Sequence, residues 1–156
     1  MDKCNCTARF FSKIVPTLLT QTDTTVGFLS QDDTKLKEIK IRVSSKPFIT
    51  VFKNIQSFKN DFKRVPQKHK NRVRRASKTT FIIKNFAFRI AYSQANSSLL
   101  DLPWYYSTSA NESSKNFDRV FCESKADIII ETEEGLHEKQ ASSLLRLNAK
   151  KIRKLR

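Results

Sequence analysis

Glycine and proline are scarce in this sequence, which has two glycines and four prolines among 156 residues. Two glycines cannot build the phosphate-binding loops of P-loop or dinucleotide-binding proteins, and the G-x-S-x-G motif of serine hydrolases is also absent. No low-complexity linker or internal repeat marks a domain boundary. We therefore expect one domain that spans residues 1–156.

Metal-ligating side chains are also few, since the chain has three cysteines and two histidines. The cysteines Cys4, Cys6 and Cys122 make no four-ligand spacing with His69 or His137, so we expect no metal site. An odd number of cysteines cannot all pair, and Cys4 and Cys6 are too close for a structural disulfide, so reduced thiols are expected. Cys122 lies on an apolar helical face and is expected to be an inert core thiol.

Long apolar runs are missing as well. No run approaches the roughly 18 residues that a membrane helix needs. The N-terminal sequence MDKCNCTARF has no apolar segment of the kind found in secretory signals. We expect a cytoplasmic protein that does not interact with a membrane.

Basic residues, in contrast, are abundant. Thirty lysines and arginines against fifteen acids give a formal net charge of +15, which favours anionic partners. Nine of the basic residues lie between Lys59 and Lys78, where Asp61 is the one acid. The balance reverses between Glu112 and Glu138, which contain eight acids and three basic residues. The chain is therefore expected to have one positive and one negative face.

The hydrophobic pattern alternates between strand and helix signals. Apolar, β-branched and aromatic runs predict strands at Lys13–Thr20, Phe48–Phe52, TTFIIK, FAFRIAY, Trp104–Thr108, Asp127–Glu131 and Ser143–Leu147. Helical spacing and capping residues predict helices at Thr34–Lys40, at Ile55–Val65 before Pro66, and at Phe117–Glu123, with a helical turn at Ser97–Leu102. Asp32 or Asp33 is the expected cap of the first helix and Asn54 that of the second. The mixture favours an α/β fold.

Hydroxyl and cationic residues cluster at the ends of the predicted strands. The clusters are Thr22-Asp23-Thr24, Lys40-x-Arg42 with Lys46-Pro47, Lys78-Thr79-Thr80, and Ser107-Thr108-Ser109-Ala110-Asn111. Any one of them alone is more often a turn or a helix cap than a binding site. Together they would suit a site that holds phosphate and carboxylate anions.

The order of these clusters is informative, because QTDTTVGF, KIRVSSKP, KTTFII, FRIA and STSANESS follow one another along the chain, with SSLLRL and KIRKLR at the end. This series resembles the YrdC/YciO-like family of threonylcarbamoyl-AMP synthases from Ile14 to Arg156. The resemblance implies a single α/β domain with a twisted mixed β-sheet flanked by helices and a positively charged concave cavity.

The resemblance also implies an activity. Family enzymes combine L-threonine, bicarbonate and ATP into threonylcarbamoyl-adenylate and pyrophosphate, which supplies the modification of adenosine 37 in tRNA. Mg²⁺ is expected to arrive with ATP and to need no carboxylate cage. Partner proteins of the same tRNA-modification pathway would be expected to complete the transfer to tRNA.

Site residues follow from the matched motifs. Lys40 and Arg42 are the expected catalytic cations, and replacing Arg42, Lys46 or Lys40 by alanine is expected to abolish turnover. The residues expected to bind ATP are Arg42, Lys46, Thr80, Asn111, Ser143 and Arg156. Those expected to bind threonine are Thr22, Thr24, Arg89, Thr108 and Ser109. Arg89 could alternatively be an edge-strand arginine in solvent, since FAFRIAY permits one outward face.

The basic segment supports a different class of function. A non-enzymatic protein that binds tRNA or double-stranded RNA would use these cations to neutralise phosphates. The residues expected to contact RNA are Lys63, Arg64, Lys68, Lys70, Arg72, Arg74 and Arg75. The same segment could also be an ordinary solvated face, in which case binding would be weak and lost at physiological salt.

Overall fold

The computed structural model describes residues 15–40, 47–61, 64–90, 102–112 and 115–156. Its nine strands are β1 Leu18–Gln21, β2 Val26–Ser30, β3 Ile49–Phe52, β4 Thr79–Ile83, β5 Phe86–Ile90, β6 Trp104–Ser109, β7 Ile128–Ile130, β8 Ser143–Leu147 and β9 Ile152–Lys154. Its helices are α1 Asp33–Lys40, α2 Ile55–Asp61, α3 Lys70–Arg75 and α4 Arg119–Lys125, and a 3₁₀ turn at Gln67–His69 precedes α3.

All nine strands form one sheet in the order β7-β1-β2-β6-β3-β5-β4-β8-β9. The pairs β1–β7, β3–β5 and β4–β8 are parallel, and the other five pairs are antiparallel. The sheet is therefore mixed, and the predicted α/β class is confirmed. No helix of the described ranges is long and apolar enough to cross a membrane.

Side-chain alternation gives the sheet two different faces. On β5, Phe88 and Ile90 belong to the hydrophobic core, whereas Arg89 between them points to the opposite face. The register continues the apolar face onto the next strand, because Phe88 lies beside Phe81 of β4. One face of the sheet is thus apolar, and the other carries the polar residues described below.

The helices cover the apolar face. Leu36 of α1 and Cys122 of α4 pack against Phe28 of β2, and all three are fully buried. Phe58 of α2 stacks on Phe88 with ring centroids 4.5 Å apart. Each fully buried phenylalanine stabilises the fold by about 1.5–3 kcal/mol, so these contacts fix the helices to the sheet.

Two predicted helix caps are present in the structure. Asp32 Oδ1 accepts hydrogen bonds from the backbone N–H groups of Thr34 and Lys35, at 2.9 and 3.3 Å. Asn54 Oδ1 accepts one from the backbone N–H of Ser57 at 2.8 Å. These bonds satisfy amide groups that have no partner within the helix, so the cap predictions are confirmed.

Several boundaries differ from the sequence prediction. The first strand begins at Leu18 rather than at Lys13. The described part of the second helix is Ile55–Asp61, and Val65 is not helical. The last helix begins at Arg119 because Asp118 caps it through the backbone N–H of Phe121. The helical turn predicted from Ser97 lies outside the described residues, except for its last residue.

Three elements were not predicted, namely β2, α3 and β9. Strand β2 is buried on both faces, so it has no alternation to mark it. Helix α3 has six residues, of which Val73 is the one that packs into the core, and a single apolar residue gives no helical period. Strand β9 is only three residues long and pairs with β8 alone.

Candidate functional site

A cavity of about 330 Å³ lies on the polar face of the sheet, opposite the helices. Neighbouring strands supply its floor, because Gly27 of β2 pairs with Ser109 of β6, and Ser107 of β6 pairs with Ile49 of β3. The β1–β2 loop and the segment before β8 supply its walls. The lining residues are Thr22, Thr24, Thr25, Gly27, Pro47, Phe48, Ile49, Arg89, Ser107, Thr108, Ser109, Ala141, Ser142 and Arg156.

Arg89 is the buried cation of this cavity, with 4% of its surface exposed. Its Nη1 donates to Asp23 Oδ1 at 2.9 Å and to Thr24 Oγ1 at 2.7 Å. Burial lowers the pKa of the Arg89 guanidinium and the charge of Asp23 raises it. An arginine side chain remains protonated in proteins, so Arg89 stays a fixed positive charge. The solvent-exposed alternative for Arg89 is therefore wrong.

The guanidinium of Arg89 is not fully satisfied. Its Nε is buried and has no hydrogen-bond partner among the described residues. A buried donor that stays unpaired costs about 1–3 kcal/mol, which is tolerated mainly at functional sites. The cavity wall thus contains a cation with unused hydrogen-bonding capacity.

A compact turn holds the threonines of the β1–β2 loop. The Thr22 hydroxyl donates to the backbone carbonyl of Thr25 at 2.6 Å and accepts from the backbone N–H groups of Thr24 and Thr25, both at 3.2 Å. Threonine hydroxyls stabilise turns in this way. The turn places Thr22 and Thr24 on the cavity wall beside Arg89, as expected for the threonine-binding group.

Lys40 is placed differently from the sequence expectation. It is 1% exposed and is not part of the cavity lining. Its Nζ donates to the backbone carbonyl of Asn111 at 2.7 Å, to Asn111 Oδ1, and to Ser109 Oγ at 3.3 Å. An ammonium has three N–H donors, and these three acceptors are sufficient to use them. Lys40 thus binds the end of β6 and the loop that follows it, and Ser109 at the end of β6 lines the cavity.

The opposite wall shows a similar indirect arrangement. Thr80 is fully buried, and its hydroxyl forms a 2.9 Å hydrogen bond with Ser142 Oγ, which lines the cavity. Arg156 also lines the cavity, and its Nε and Nη2 both donate to the backbone carbonyl of Ser142 at 3.2 Å. Ser143, which was expected to bind ATP, is exposed and outside the lining, whereas its neighbour Ser142 is in it.

The structure brings part of the predicted set together. Six predicted residues line this cavity, namely Thr22, Thr24, Arg89, Thr108, Ser109 and Arg156. Lys40, Thr80 and Asn111 contact residues beside or in this wall without lining it. Arg42, Lys46 and Lys63 lie outside the described residues, so their placement stays a prediction.

Eight lining residues were not among the predicted site residues, although Pro47 and Ser107 belong to the clusters named above. The eight are Thr25, Gly27, Pro47, Phe48, Ile49, Ser107, Ala141 and Ser142. Gly27 and Ser107 could have been found from strand alternation, because they lie two residues from Leu29 and Ser109 on the same faces of β2 and β6. Ser142 gave no such signal, because it precedes its strand. Among the described residues, no group of three His, Cys, Asp or Glu side chains could hold a metal ion.

Gly27 is placed where a side chain would not fit. A Cβ at this position would lie 2.9 Å from the backbone oxygen of Thr108 and 3.2 Å from Thr22 Cγ2. The first distance is shorter than a van der Waals contact allows, and the backbone of β6 cannot move away without disturbing the sheet. The absence of a side chain therefore keeps the cavity floor open.

We predict that Gly27→Ala will lower the affinity of the cavity for its ligand by about 10-fold, because the floor must shift. The melting temperature should also fall by several degrees, since strain of this kind costs about 1–3 kcal/mol of stability. Gly135→Asn is the matched control, because Gly135 has a φ of +74° that asparagine tolerates and lies outside the cavity lining. Unchanged affinity in Gly27→Ala would show that the ligand binds elsewhere.

A second surface is strongly basic. Six of the residues expected to contact RNA are exposed, namely Arg64, Lys68, Lys70, Arg72, Arg74 and Arg75. None of these six forms an ion pair with a described residue. The buried side chain of Val73 and a 3.0 Å hydrogen bond between His69 Nε2 and the Asn148 carbonyl hold this surface against the sheet.

Acidic residues lie mainly around α4 and β7. Arg119 is paired there with Glu123 and Glu131, at 2.7 and 2.8 Å. The Glu131 carboxyl has a lowered pKa, first because Arg119 donates hydrogen bonds to it. In the sheet order, β7 is one edge and β8 and β9 form the other, so acidic and basic residues are separated along the molecule.

Comparison with known proteins shows the fold. No protein-family profile matches the sequence, and no curated protein matches it either. Two structures of P. abyssi Sua5, one carrying two substitutions and one complexed with L-threonine, align with 90% of this chain at 17% identity, with TM-scores of 0.73 and 0.70. The solution structure of MTH1692 from Methanobacterium thermoautotrophicum aligns with 90% of the chain at 17% identity and a TM-score of 0.65.

The compared proteins differ in length from this chain. The alignment covers 49% and 50% of the two Sua5 structures and 79% of MTH1692. This chain thus spans about half the length of the P. abyssi protein. The identities are low, but the shared topology extends over nearly all of the chain, and the chain therefore has the YrdC-like fold found in Sua5.

Proposed function

We propose that this protein is a threonylcarbamoyl-AMP synthase, which forms threonylcarbamoyl-adenylate and pyrophosphate from L-threonine, bicarbonate and ATP. The observation that carries the proposal is the placement of Arg89, a buried cation whose Nε has no partner among the described residues, in a cavity lined by threonine and serine hydroxyls. The motif series and the Sua5-like fold support the same activity. We propose that the product serves tRNA modification in the cytoplasm, with partner proteins of that pathway completing the transfer.

The threonine site would lie between Arg89 and the β1–β2 loop. One of the Sua5 structures is complexed with L-threonine, which supports amino-acid binding on this fold. A carboxylate would pair with the Arg89 guanidinium, since charge-assisted bonds to carboxylates are strong. Thr24 and Ser109 would contact the remaining polar groups of the amino acid, because short hydroxyl side chains leave room in a small cavity.

The nucleotide would approach from the side of Arg156 and Ser142. Arg156 is exposed, so its guanidinium can turn from the Ser142 carbonyl to a phosphate. Arg42 and Lys46 are proposed to add positive charge at the phosphates. The guanidinium of Arg42 would bind phosphate oxygens bidentately, and the ammonium of Lys46 would act as a compact charge. Mg²⁺ would be carried by the triphosphate and would keep several of its waters.

The chemical difficulty is electrostatic. An oxygen of the carbamate carboxylate must form a bond to the α-phosphorus, while the bond from that phosphorus to the pyrophosphate oxygen breaks. Both reactants are anions, so the site must hold them together with fixed cations and hydrogen-bond donors. No protein nucleophile is needed, because the carboxylate itself attacks.

The proposal is tested by pyrophosphate release from ATP. The expected result is release that requires both L-threonine and bicarbonate and that falls to background when either is omitted. Serine and valine test the fit of the side chain, since a hydroxyl and a methyl group can each be discriminated. Release that is indifferent to threonine would reject the proposal.

A second candidate function is binding of tRNA or double-stranded RNA. The exposed cations around α3, which form no ion pair within the described part of the chain, favour it. Helix α3 places Arg72 and Arg75 on one side, three residues apart. Cations in such a row can follow a phosphate backbone, and the affinity then depends strongly on salt. This function is compatible with the synthase, because RNA could bind on the surface while the cavity turns over ATP.

Reversing two charges tests this surface. We predict that Arg72→Glu with Arg75→Glu will weaken RNA binding by about 10-fold or more and reduce the steepness of its salt dependence, by roughly 0.9 for each lost phosphate contact. Lys115→Glu with Lys125→Glu makes the same charge change among the acidic residues and should have a smaller effect. Equal losses in both double variants would show that only net charge matters.

A further inference from the structure

Asp23 and Arg89 form a buried ion pair in the cavity wall. Their side chains are 3% and 5% exposed, and Asp23 Oδ1 lies 2.9 Å from Arg89 Nη1. The two residues come from distant parts of the sequence, the β1–β2 loop and the middle of β5. Removing one partner of such a pair leaves an uncompensated buried charge, which folded proteins rarely tolerate.

Asp23 is not needed to shape its own loop. The hydrogen bonds that close the turn are made by the Thr22 hydroxyl, which contacts the backbone of Thr24 and Thr25. The hydrogen bond of the Asp23 carboxylate goes instead across the cavity wall to Arg89. Asp23 therefore contacts the cation of the site.

The same guanidinium contacts a hydroxyl group of the wall. Arg89 Nη1 can only donate, so Thr24 Oγ1 accepts from it at 2.7 Å. A hydroxyl oxygen has two lone pairs, so Thr24 Oγ1 keeps one with which it can accept a hydrogen bond from a ligand.

We propose that Asp23 is a positioning residue for the ligand site. By holding Nη1, it fixes the guanidinium of Arg89 in the wall, and with it the hydrogen bond from Arg89 to Thr24. The wall then offers a cationic donor and a neutral acceptor side by side. A ligand that presents a carboxylate to Arg89 and an N–H or O–H group to Thr24 matches this pattern, as an amino acid does. The choice of L-threonine as probe rests on the proposed function.

The test compares Asp23→Asn with Asp33→Asn, because both replace a carboxylate with an amide of the same size. Asp33 is a partly exposed residue in the first turn of α1. One readout is the hydrogen-exchange rate of the Arg89 Nε–H group by NMR, identified as the signal lost in Arg89→Lys. The other is the affinity for L-threonine by calorimetry. We expect Asp23→Asn to raise the exchange rate by at least about 10-fold and to weaken L-threonine binding by about 10-fold or more. Asp33→Asn should change neither.

The outcomes separate this inference from the proposed function. Unchanged exchange and affinity in Asp23→Asn would overturn the positioning role. If Asp23→Asn does not fold, Asp23→Leu combined with Arg89→Met should fold again, because both buried charges are then removed. If the double variant does not fold either, the positioning role is also overturned. If Asp23→Asn raises the exchange rate but the wild-type protein releases no pyrophosphate, the synthase is rejected and the positioning role of Asp23 remains supported.

Discussion

Replacing Arg89 by lysine is expected to lower kcat/KM for L-threonine by about 100-fold or more, because a lysine cannot reproduce the planar fork of donors. Arg89 holds Asp23 and Thr24 through Nη1, and its Nε has no hydrogen-bond partner among the described residues. A lysine would keep the charge beside Asp23, so the variant should remain folded. Steady-state pyrophosphate release measures the effect.

The control for Arg89 is Arg146→Lys, which makes the same substitution at an exposed position of β8 outside the cavity lining. It should leave kcat/KM unchanged. Arg89→Ala should in addition lower the free energy of unfolding by about 3–5 kcal/mol, because the Asp23 carboxylate would stay buried without its partner. An Arg89→Lys enzyme with full activity would show that Arg89 serves only to neutralise Asp23.

Lys40→Met should affect both stability and activity. The substitution removes the donors that hold Asn111 and Ser109, and hydrogen bonds from a charged group contribute about 1.5–3 kcal/mol each. We expect a melting temperature several degrees lower and a KM for L-threonine raised by about 10-fold, since Ser109 at the end of β6 becomes less well positioned. Thermal unfolding and steady-state kinetics measure the two effects.

Lys37→Met is the matched control for Lys40, because Lys37 is an exposed lysine in the last turn of the same helix. Asn111→Ala should reproduce part of the Lys40 effect, and the double variant should be less impaired than the sum of the two single variants. A loss of kcat in Lys40→Met without any change in melting temperature would instead favour a direct contact between Lys40 and the reacting phosphate.

The charge of the cavity bears on where ATP can bind. Among the described lining residues, Arg89 and Arg156 are the arginines, and Asp23 offsets the charge of the first. A triphosphate and a carbamate together need more positive charge than this pair supplies. The proposed roles of Arg42 and Lys46 follow from that need, and alanine substitutions at both positions are expected to abolish turnover.

Local signals predicted much of the fold from the sequence. Strands β4, β5 and β6 have aromatic and β-branched residues in short runs, and their positions were predicted within about two residues. The caps at Asp32 and Asn54 were predictable because a cap is a contact within four residues. Strand β2 and helix α3 were missed because their structure depends on distant partners rather than on a local pattern.

The site was predicted less completely, for a related reason. The family resemblance implied that Thr24, Arg89 and Ser109 belong to one threonine-binding set, and all three line the cavity. The burial of Lys40 depends on contacts about 70 residues away along the chain, which no local pattern encodes. The pairing of Asp23 with Arg89 spans 66 residues and was missed in the same way.

The central claim is that the Arg89 cavity joins L-threonine to the carbon of bicarbonate and the adenylate of ATP. Mass spectrometry of a reaction that contains carbon-13-labelled bicarbonate, ATP and L-threonine tests it most directly. The account predicts a labelled threonylcarbamoyl-adenylate with the wild-type protein, and its formation should be greatly reduced in Arg89→Lys. Failure of the folded wild-type protein to form the adenylate, or an equal yield from Arg89→Lys, would contradict the account.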